Sequence, residues 1–225
     1  MIIAVDGPAG AGKSSVCSAV CEAFGWTYVN TGALYRAVAV LAFDRGVDLV
    51  DEGNLCQIAQ DLVERSVWEP KTATLSFEGG NLNHRIQSQV AGSAASSVAK
   101  LASVRKALLP LQRRLALECE TGALLEGRDI GTVVFPDAHV KIYMTASLEE
   151  RARRRFEQLK SGKSMVEADF EVIKTEIARR DQQDSARIDA PMRKADDALL
   201  FDTTGLGPDE AKEALIALLR THLSI

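Results

Sequence analysis

The sequence predicts an α/β fold in which helices flank a central parallel β-sheet. Ile2–Val5 is an apolar run of β-favouring residues, typical of a strand buried inside a parallel sheet. A helix-forming segment and a second short strand follow it, and short apolar runs continue to alternate with helical segments along the chain. With 225 residues, 46% of them hydrophobic, the chain is long enough for one large domain with its own core.

The first half of the chain opens with a β-loop-α-β unit. Apolar residues recur at helical spacing over Ser14–Phe24, and Gly25 is the usual kind of residue to end a helix. The later elements predicted here are a strand over Trp26–Val29, a helix that continues through Ala37–Gly46, a helix over Leu55–Leu62, and strands over Val63–Trp68 and Thr72–Phe77.

The two neighbouring strands form a β-rich patch within the α/β alternation, which indicates an inserted subdomain. Glu69-Pro70-Lys71 and Gly79-Gly80 are its predicted turns. The next segment, Ile86–Ala99, has no charged residue and many Ala, Ser and Gly residues. It is either a low-complexity linker or a helix packed closely against a neighbour. The helix is favoured, because charged and apolar periodic sequence resumes directly after it.

The second half contains a strong amphipathic helix over Val104–Cys119, which Pro110 can kink. The remaining predicted elements are strands over Ala123–Leu125, Val140–Met144 and Leu199–Asp202, a helix capped by Ser147, a helix over Val166–Arg179, an irregular charged stretch over Arg180–Arg187, and a last helix that begins at Pro208.

Composition excludes several classes of protein. The formal charge of −4 argues against extensive nucleic-acid binding. No apolar stretch approaches the length of a membrane span, and the N-terminus enters a strand directly, so neither a membrane helix nor a signal peptide is expected. The four cysteines have no metal-ligand spacing; we expect reduced thiols in the cytoplasm, with Cys17 and Cys21 as small core residues.

The octet GPAGAGKS, which directly follows the first strand, fits the phosphate-binding loop pattern G-x-x-x-x-G-K-[ST]. Glycines let successive backbone N–H groups point at one anion, and the following helix offers its positive end to the same charge. Lys13 can reach the terminal phosphates of a nucleotide, and the Ser14 hydroxyl can hold Mg²⁺. The alternative is a glycine-rich turn that only joins strand and helix, but both neighbours stand where the phosphate loop needs them.

A second anion site is one of two interpretations of the segment after the second strand. Thr31 and Gly32 follow the strand, and Arg36 comes about one helical turn later, at the sheet edge where open α/β folds bind ligands. The other interpretation makes Thr31 a helix cap and places Arg36 on a solvated helix face. The spacing leaves both open.

Arginine is concentrated in the last third of the chain. There are 17 arginines to 10 lysines, and Arg151, Arg153, Arg154 and Arg155 follow a predicted capping box formed by Ser147 and Glu150. Such a run is ordinarily a solvated face. However, arginine's flat fork suits phosphate, and Ser161-Gly162 gives the segment the flexible end that a closing lid needs.

The mixed-charge segment EGRDIGT, at the end of another predicted strand, adds a further candidate site. Together the chain has more arginines on separate segments than one triphosphate requires. Two phosphorylated ligands held face to face would use them, which predicts phosphoryl transfer by positioning and charge neutralisation.

Four segments, in order and spacing, resemble the bacterial cytidylate kinase family of nucleoside monophosphate kinases: GPAGAGKSS, NTGALYRA, EGRDIGTVVFPDA and RRDQQDSAR. The resemblance covers nearly the whole chain. It implies a P-loop kinase core over about residues 1–57 and 100–225, a small β-containing insert over about 58–99 that binds the nucleoside monophosphate, and a helical lid over about 147–162. It also implies Mg²⁺- and ATP-dependent phosphorylation of CMP and dCMP by a cytoplasmic monomer.

The same resemblance assigns the site residues. ATP would be held by Gly7, Pro8, Ala9, Gly10, Ala11, Gly12, Lys13, Ser14 and Ser15. CMP would be held through its phosphate by Thr31, Arg36, Arg128 and Arg187, through its base by Ser96, Arg105 and Asp129, and through its ribose by Arg180 and Asp184. The implied catalytic residues are Lys13, Arg128, Arg151, Arg153 and Arg154. The capped helix with surplus arginine and its glycine-containing end separately predict that the last three are disengaged until both nucleotides bind.

This chain departs from the family pattern at three positions. Asn30 stands where the family usually has aspartate, and Gln87 and Val90 replace an arginine and a glutamate at the start of the insert's helix. Two other functions stay open: a different small-molecule kinase would lack EGRDIGTVVFPDA, and a silent nucleotide-binding regulator would lack the lid arginines. Asp129 also has a second interpretation, in which it pairs only with Arg128 and shapes the loop.

Overall fold

A computed structural model describes residues 1–69, 74–161 and 169–223 and confirms the α/β class. The strands in chain order are β1 (Ile2–Asp6), β2 (Thr27–Asn30), β3 (Ser66–Glu69), β4 (Thr74–Phe77), β5 (Gly80–Asn81), β6 (Ala123–Gly127), β7 (Val140–Thr145) and β8 (Leu199–Asp202). The helices are α1 (Lys13–Phe24), α2 (Thr31–Asp44), α3 (Glu52–Arg65), α4 (Asn83–Ile86), α5 (Gln89–Val98), α6 (Ala102–Leu117), α7 (Leu148–Ser161), α8 (Phe170–Ser185) and α9 (Pro208–Leu223). A short π-helical turn covers Ile130–Val134.

The central sheet has five strands in the order β2–β6–β1–β7–β8. Every residue of β1 is buried, as expected for an apolar strand covered on both faces. β1 pairs in parallel with β7, from Ile3 opposite Val140 to Asp6 opposite Tyr143, and β7 pairs in parallel with β8. The carboxyl ends of β1, β7 and β8 therefore meet at one edge of the sheet, where ligands bind in folds of this kind.

Gly7 makes the sharp exit from β1 possible. Its φ is +146°, and a Cβ built on it would lie 1.9 Å from the Met144 carbonyl oxygen. No other residue fits between the two strands at this point, so the loop after β1 begins at a position that requires glycine.

The chain forms two compact units, one of Met1 with Gly25–Leu125 and the other of Ile2–Phe24 with Glu126–Ile225. In the first, α2 packs against α3, α4 and α5, and α3 packs against α6. The same unit contains the antiparallel sheet β3–β4–β5, which confirms the predicted β-rich patch. Pro70 and Lys71 of the predicted turn, and the predicted strand start at Thr72, lie outside the described residues.

In the second unit, α1 packs against α9, and α7 packs against α8. The rings of Phe156 and Phe170 meet edge to face with centroids 6.0 Å apart, which joins α7 to the start of α8. Cys17 and Cys21 are buried free thiols on α1, as predicted, while Cys56 and Cys119 are half-buried free thiols.

Three sequence predictions about elements are settled by the structure. The small-residue segment is helical, and Ser88 caps α5 by accepting the Ala91 N–H. The strand predicted from Val63 is wrong in its first residues, because α3 continues to Arg65 with its apolar face buried. The irregular stretch predicted over Arg180–Arg187 is also wrong: α8 continues to Ser185, since Ile177 and Asp184 bury one face of the helix.

Residues 162–168, which include the predicted hinge glycine Gly162 and the predicted start of a helix at Val166, lie outside the described part of the chain. Within the described ranges, no helix combines the length and the apolar character needed to cross a bilayer.

Candidate active site

The loop Gly7–Ser15 joins β1 to α1, and α1 begins at Lys13 within the loop sequence. Gly10 and Gly12 have φ values of +79° and +88°, conformations that other residues rarely adopt. A turn of this kind at the N-terminus of a helix directs backbone N–H groups toward one point. The loop therefore has the backbone form of a phosphate site.

Lys13 lies beneath this loop and is only 6% exposed. Its Nζ donates hydrogen bonds to the carbonyl oxygens of Gly7 at 2.8 Å and Pro8 at 2.7 Å. Burial is the main cause that lowers the pKa of Lys13 to about 7; the positive charge of Arg128 acts in the same direction, and the negative charge of Glu126 opposes both. A nearby anion would restore the charge of this lysine.

Ser14 and Glu126 place two side-chain oxygens that could bind a metal ion next to the loop. The Ser14 hydroxyl donates to the Glu126 carboxylate at 2.7 Å, and Glu126 is buried at the end of β6. Hydroxyl and carboxylate oxygens are hard ligands of the type that Mg²⁺ takes alongside nucleotide phosphates. The donor set fits Mg²⁺, and the role of Ser14 as a magnesium ligand stays a prediction.

Asp6 fixes the π-helical turn that begins within the mixed-charge segment. Its carboxylate accepts the backbone N–H groups of Ile130 at 2.7 Å and Gly131 at 2.8 Å. Burial raises the pKa of Asp6 to about 6, and the two backbone hydrogen bonds partly oppose that rise. The end of β1 and the residues after Arg128 and Asp129 are thereby held together.

Two predicted CMP-phosphate residues converge on one buried carboxylate. Arg128 donates from Nε to Asp184 at 3.0 Å, and Arg187 donates to the other Asp184 oxygen. Arg180 lies half-buried on the same helix, one turn before Asp184. Two guanidinium groups on one carboxylate leave a net positive charge, which suits a phosphate group.

Arg151 and Asp181 hold the phosphate loop from two helices. The Asp181 carboxylate accepts the Ala9 N–H at 3.1 Å and pairs with the Arg151 guanidinium. Arg151 also donates to the Ala9 carbonyl at 3.1 Å and to the Ala146 carbonyl at 2.9 Å. Arg151 is thus engaged with the loop, unlike the disengaged lid arginine that the sequence predicted.

Arg154 is also engaged with the loop. Its guanidinium donates to the Thr203 hydroxyl at 3.1 Å, to the Thr203 carbonyl at 2.6 Å and to the Ala11 carbonyl at 3.4 Å. Arg153 instead lies at the surface of α7 and pairs with Glu150 and Glu157. Of the three predicted lid arginines, two contact the loop or its support and one has the solvated position.

Asp129 is buried, and its carbonyl accepts the N–H groups of Val133 and Val134 at the start of the π-helical turn. The hydrogen bonds of Arg128 described above run to Asp184, and a further one runs to the Gly127 carbonyl at 3.1 Å. The side chain of Arg128 is therefore directed by α8.

The remaining predicted CMP-binding residues lie in the unit that contains Gly25–Leu125. Thr31 is the buried first residue of α2. The cap of this helix is Asn30, whose side chain accepts the Ala33 N–H at 3.2 Å, so the interpretation of Thr31 as the cap is wrong by one residue. Arg36 is half-buried rather than on a solvated face. Arg105 is buried, with its guanidinium carbon 5.8 Å from the centre of the Tyr35 ring.

Ser96 lies half-buried on α5 of the same unit. The departures at Gln87 and Val90 are both exposed, at the end of α4 and the start of α5.

Sequence reasoning missed Asp6, Asp181 and Thr203 and included Glu126 only within the charged segment. Each acts through a partner more than 100 positions away: 112 for Glu126, 124 for Asp6, 172 for Asp181 and 192 for Thr203. No local spacing signals such contacts. Asp181 lies within the segment RRDQQDSAR, which was its one available signal.

Comparison with known proteins matches nearly the whole chain to one protein family. The profile of the cytidylate kinase family matches residues 3–221. The cytidylate kinase of Shouchella clausii is 41% identical over 221 residues, which are 98% of this chain and 96% of that protein. That of Pasteurella multocida is 40% identical over 225 residues, covering 100% of this chain and 97% of the relative.

A solved structure, an uncharacterized protein from Eubacterium ventriosum, superposes with a TM-score of 0.54 at 12% identity and covers 98% of this chain and 99% of that one. At this level of identity the likeness concerns the fold alone.

Proposed function

The chain belongs to the cytidylate kinase family, and on this premise we propose that it transfers the terminal phosphoryl group of ATP to CMP and dCMP, giving ADP with CDP or dCDP. The observation that carries the proposal is the phosphate loop with Lys13 beneath it and the Arg128–Asp184–Arg187 cluster in the same unit. One site suits the donor triphosphate, and the other suits the acceptor phosphate.

The reaction is an in-line displacement at phosphorus. An oxygen of the CMP phosphate forms a bond to the terminal phosphorus of ATP, and the bond from that phosphorus to its bridging oxygen breaks. The bond's electron pair leaves with ADP. The protein contributes position and positive charge rather than a covalent intermediate.

At the donor site, the backbone of Gly7–Ser15 binds the phosphates and Lys13 supplies charge. A bound triphosphate raises the pKa of Lys13 from about 7, so that the amine is a cation in the complex. Ser14 and Glu126 are the residues that would hold Mg²⁺. When bound, Mg²⁺ neutralises negative charge on the phosphate oxygens.

At the acceptor site, Arg128 and Arg187 bind the phosphate of CMP, and Asp184 fixes their orientation. Arg180 and Asp184 contact the ribose. Thr31, Arg36, Ser96 and Arg105 keep the CMP-binding roles that the family resemblance gives them. Arg151, Arg153 and Arg154 are proposed to neutralise the transferring phosphoryl group.

The proposal includes the three-part organisation predicted from the sequence: a core over about 1–57 and 100–225, an insert over about 58–99 that binds the monophosphate, and a lid over about 147–162. The β3–β5 sheet in the insert and the long helix α7 in the lid support this division. We also propose that the enzyme acts as a monomer in the cytoplasm.

A coupled assay of ADP release tests the reaction with CMP, dCMP, UMP, AMP and shikimate as acceptors. CMP and dCMP are expected to be the fastest substrates. A faster reaction with shikimate or AMP would support a different small-molecule kinase of this fold. ADP release with none of the five would instead favour the nucleotide-binding regulator.

Asp129 is proposed to select cytosine. An ionised carboxylate accepts a hydrogen bond from the amine of cytosine but faces a carbonyl in uracil, and sites built to bind a polar group strongly reject analogues without it. Asp129→Ala is therefore expected to reduce the ratio of CMP to UMP activity, mainly through loss of CMP activity. Equal losses with both substrates would show that Asp129 only shapes its loop.

A further inference from the structure

Asp181 stands between the phosphate loop and a proposed catalytic arginine. One carboxylate oxygen accepts the Ala9 N–H at 3.1 Å, and the other pairs with Arg151. Arg151 in turn donates to the carbonyl of Ala9 at 3.1 Å. The backbone of a single loop residue is thus bound on its N–H side by α8 and on its carbonyl side by α7.

The contact is well packed as well as hydrogen-bonded. The side chain of Arg151 is 10% exposed and that of Asp181 16%. A Cβ on Gly10 would lie 3.1 Å from the Cβ of Arg151, so the loop lies directly against the first turn of α7. An ion pair shielded to this degree is screened far less than a surface pair and holds its geometry better.

A carboxylate beside a phosphate loop is electrostatically costly for anion binding unless its charge has another purpose. Here Arg151 neutralises the charge of the Asp181 carboxylate, and the carboxylate in turn orients the Arg151 guanidinium. The negative charge of Asp181 also contributes to the raised pKa of Tyr143, after burial as the main cause, so the effect of this carboxylate extends to the end of β7.

We propose that Asp181 is a positioning residue for phosphoryl transfer, which fixes Arg151 and the loop residue Ala9 in one arrangement so that guanidinium and loop meet the transferring phosphate together. Asp181 itself does not touch the substrate in this arrangement. The inference rests on the proposed function, because it assigns a purpose to the alignment of a proposed catalytic arginine.

Four variants and one control separate the contributions. Asp181→Ala removes both contacts, whereas Asp181→Asn keeps an oxygen for the Ala9 N–H and loses the charge that holds Arg151. Arg151→Ala and the double variant Arg151→Ala/Asp181→Ala complete a double-mutant cycle. Glu176→Gln is the matched control, since Glu176 pairs with Arg179 on the surface of the same helix. Thermal unfolding of each variant establishes that it is folded.

In the kinetic assay, Asp181→Ala is expected to lower kcat on the order of 10²-fold, the usual effect of misplacing a reacting group by about 1 Å. KM for CMP should not change, and Asp181→Asn should also lose kcat. The double variant should lose no more than Arg151→Ala, because the two residues act as one unit. Wild-type kcat in Asp181→Asn, or losses that multiply in the double variant, would overturn the proposal.

Hydrogen exchange of the ligand-free protein provides a readout that does not depend on the substrate. The amides of residue 7 and residues 9–12 should exchange faster in Asp181→Ala than in Glu176→Gln or the wild type. Unchanged exchange there would overturn the proposed contact. A wild-type enzyme without activity on CMP would refute the proposed function alone, and the exchange experiment would still decide whether Asp181 fixes the loop.

Discussion

At the scale of single residues, the site depends on charged groups placed where water cannot solvate them. Lys13 and Asp6 are both buried, and burial shifts their pKa values toward neutrality from opposite directions, to about 7 and about 6. Lys13 donates hydrogen bonds to two backbone carbonyls, and Asp6 accepts hydrogen bonds from two backbone N–H groups. These groups give the site its shape and determine how its charge responds to a ligand.

Lys13→Ala should lower turnover far more than it lowers ATP affinity, because the lysine stabilises charge that develops during transfer. Loss of one preorganised electrostatic contact typically costs about 10²–10³ in rate. Steady-state kcat with CMP and a direct ATP-binding measurement check the split. Near-normal turnover in a folded Lys13→Ala protein would exclude this mechanism.

The raised pKa of Asp6 predicts that the stability of the protein depends on pH. Its pKa is raised from 3.8 to about 6 in the folded protein, so the folded state binds more protons than the unfolded state across that interval. The contribution of Asp6 to the free energy of unfolding is fully present below pH 3.8 and is lost as the pH rises through about 6. The unfolding midpoint of the wild type relative to Asp6→Asn should therefore fall across this interval and level off above it. Parallel curves for the two proteins would contradict the assignment.

At the scale of elements, the junctions between strands, loops and helices carry the strictest requirements. The exit from β1 has room only for glycine, whereas Gly92, within α5, has no atom within 4 Å of a built Cβ. The two glycines therefore provide a matched comparison of a required and an optional position.

Gly7→Ala should destabilise the protein by about 3 kcal/mol or more, because the added methyl overlaps the Met144 carbonyl and the backbone is strained. Gly92→Ala should stabilise it by about 0.5–1 kcal/mol, since alanine is the better helix former. Chemical denaturation of both variants measures the difference. Similar effects at the two positions would show that the junction adapts.

The elements themselves follow closely from the sequence, and the exceptions have physical causes. Buried strands such as β1 and β6 were predictable from apolar runs, because burial on both faces dictates their composition. The last turns of α8 were not, since RRDQQDSAR has little apolar periodicity and its helix depends on the buried side chains of Ile177 and Asp184. In the candidate site, the phosphate-loop motif predicted Lys13 and Ser14. The positions of Asp6 and Asp181 in the site could not be predicted, because these residues act only through partners distant in the sequence.

At the scale of the whole molecule, the proposed reaction needs α7 to respond to bound nucleotides. Arg151 and Arg154 already contact the loop region, while Arg153 pairs with Glu150 and Glu157 on its own helix. Ligand binding is therefore expected to tighten an arrangement that is partly formed rather than to assemble it anew.

Hydrogen exchange over residues 147–161 should slow when adenosine and cytidine linked by five phosphates bind the enzyme. Phosphate contacts of the α7 arginines would reduce local opening of this helix. Amides of α9, over Pro208–Leu223, serve as the internal control and should not change. Unchanged exchange over α7 with the compound demonstrably bound would contradict a lid role for this helix.

The contacts of the phosphate loop also have a consequence for biosynthesis. Ala9 and Ala11 are near the start of the chain, yet their partners Arg151, Asp181 and Thr203 are 142 to 192 positions later. As the chain leaves the ribosome, its first strand and helix emerge long before the residues that fix the loop between them. The loop therefore gains these contacts only after synthesis has passed Thr203, and a nucleotide bound in the loop is expected to stabilise chains that have reached this length in preference to shorter nascent ones.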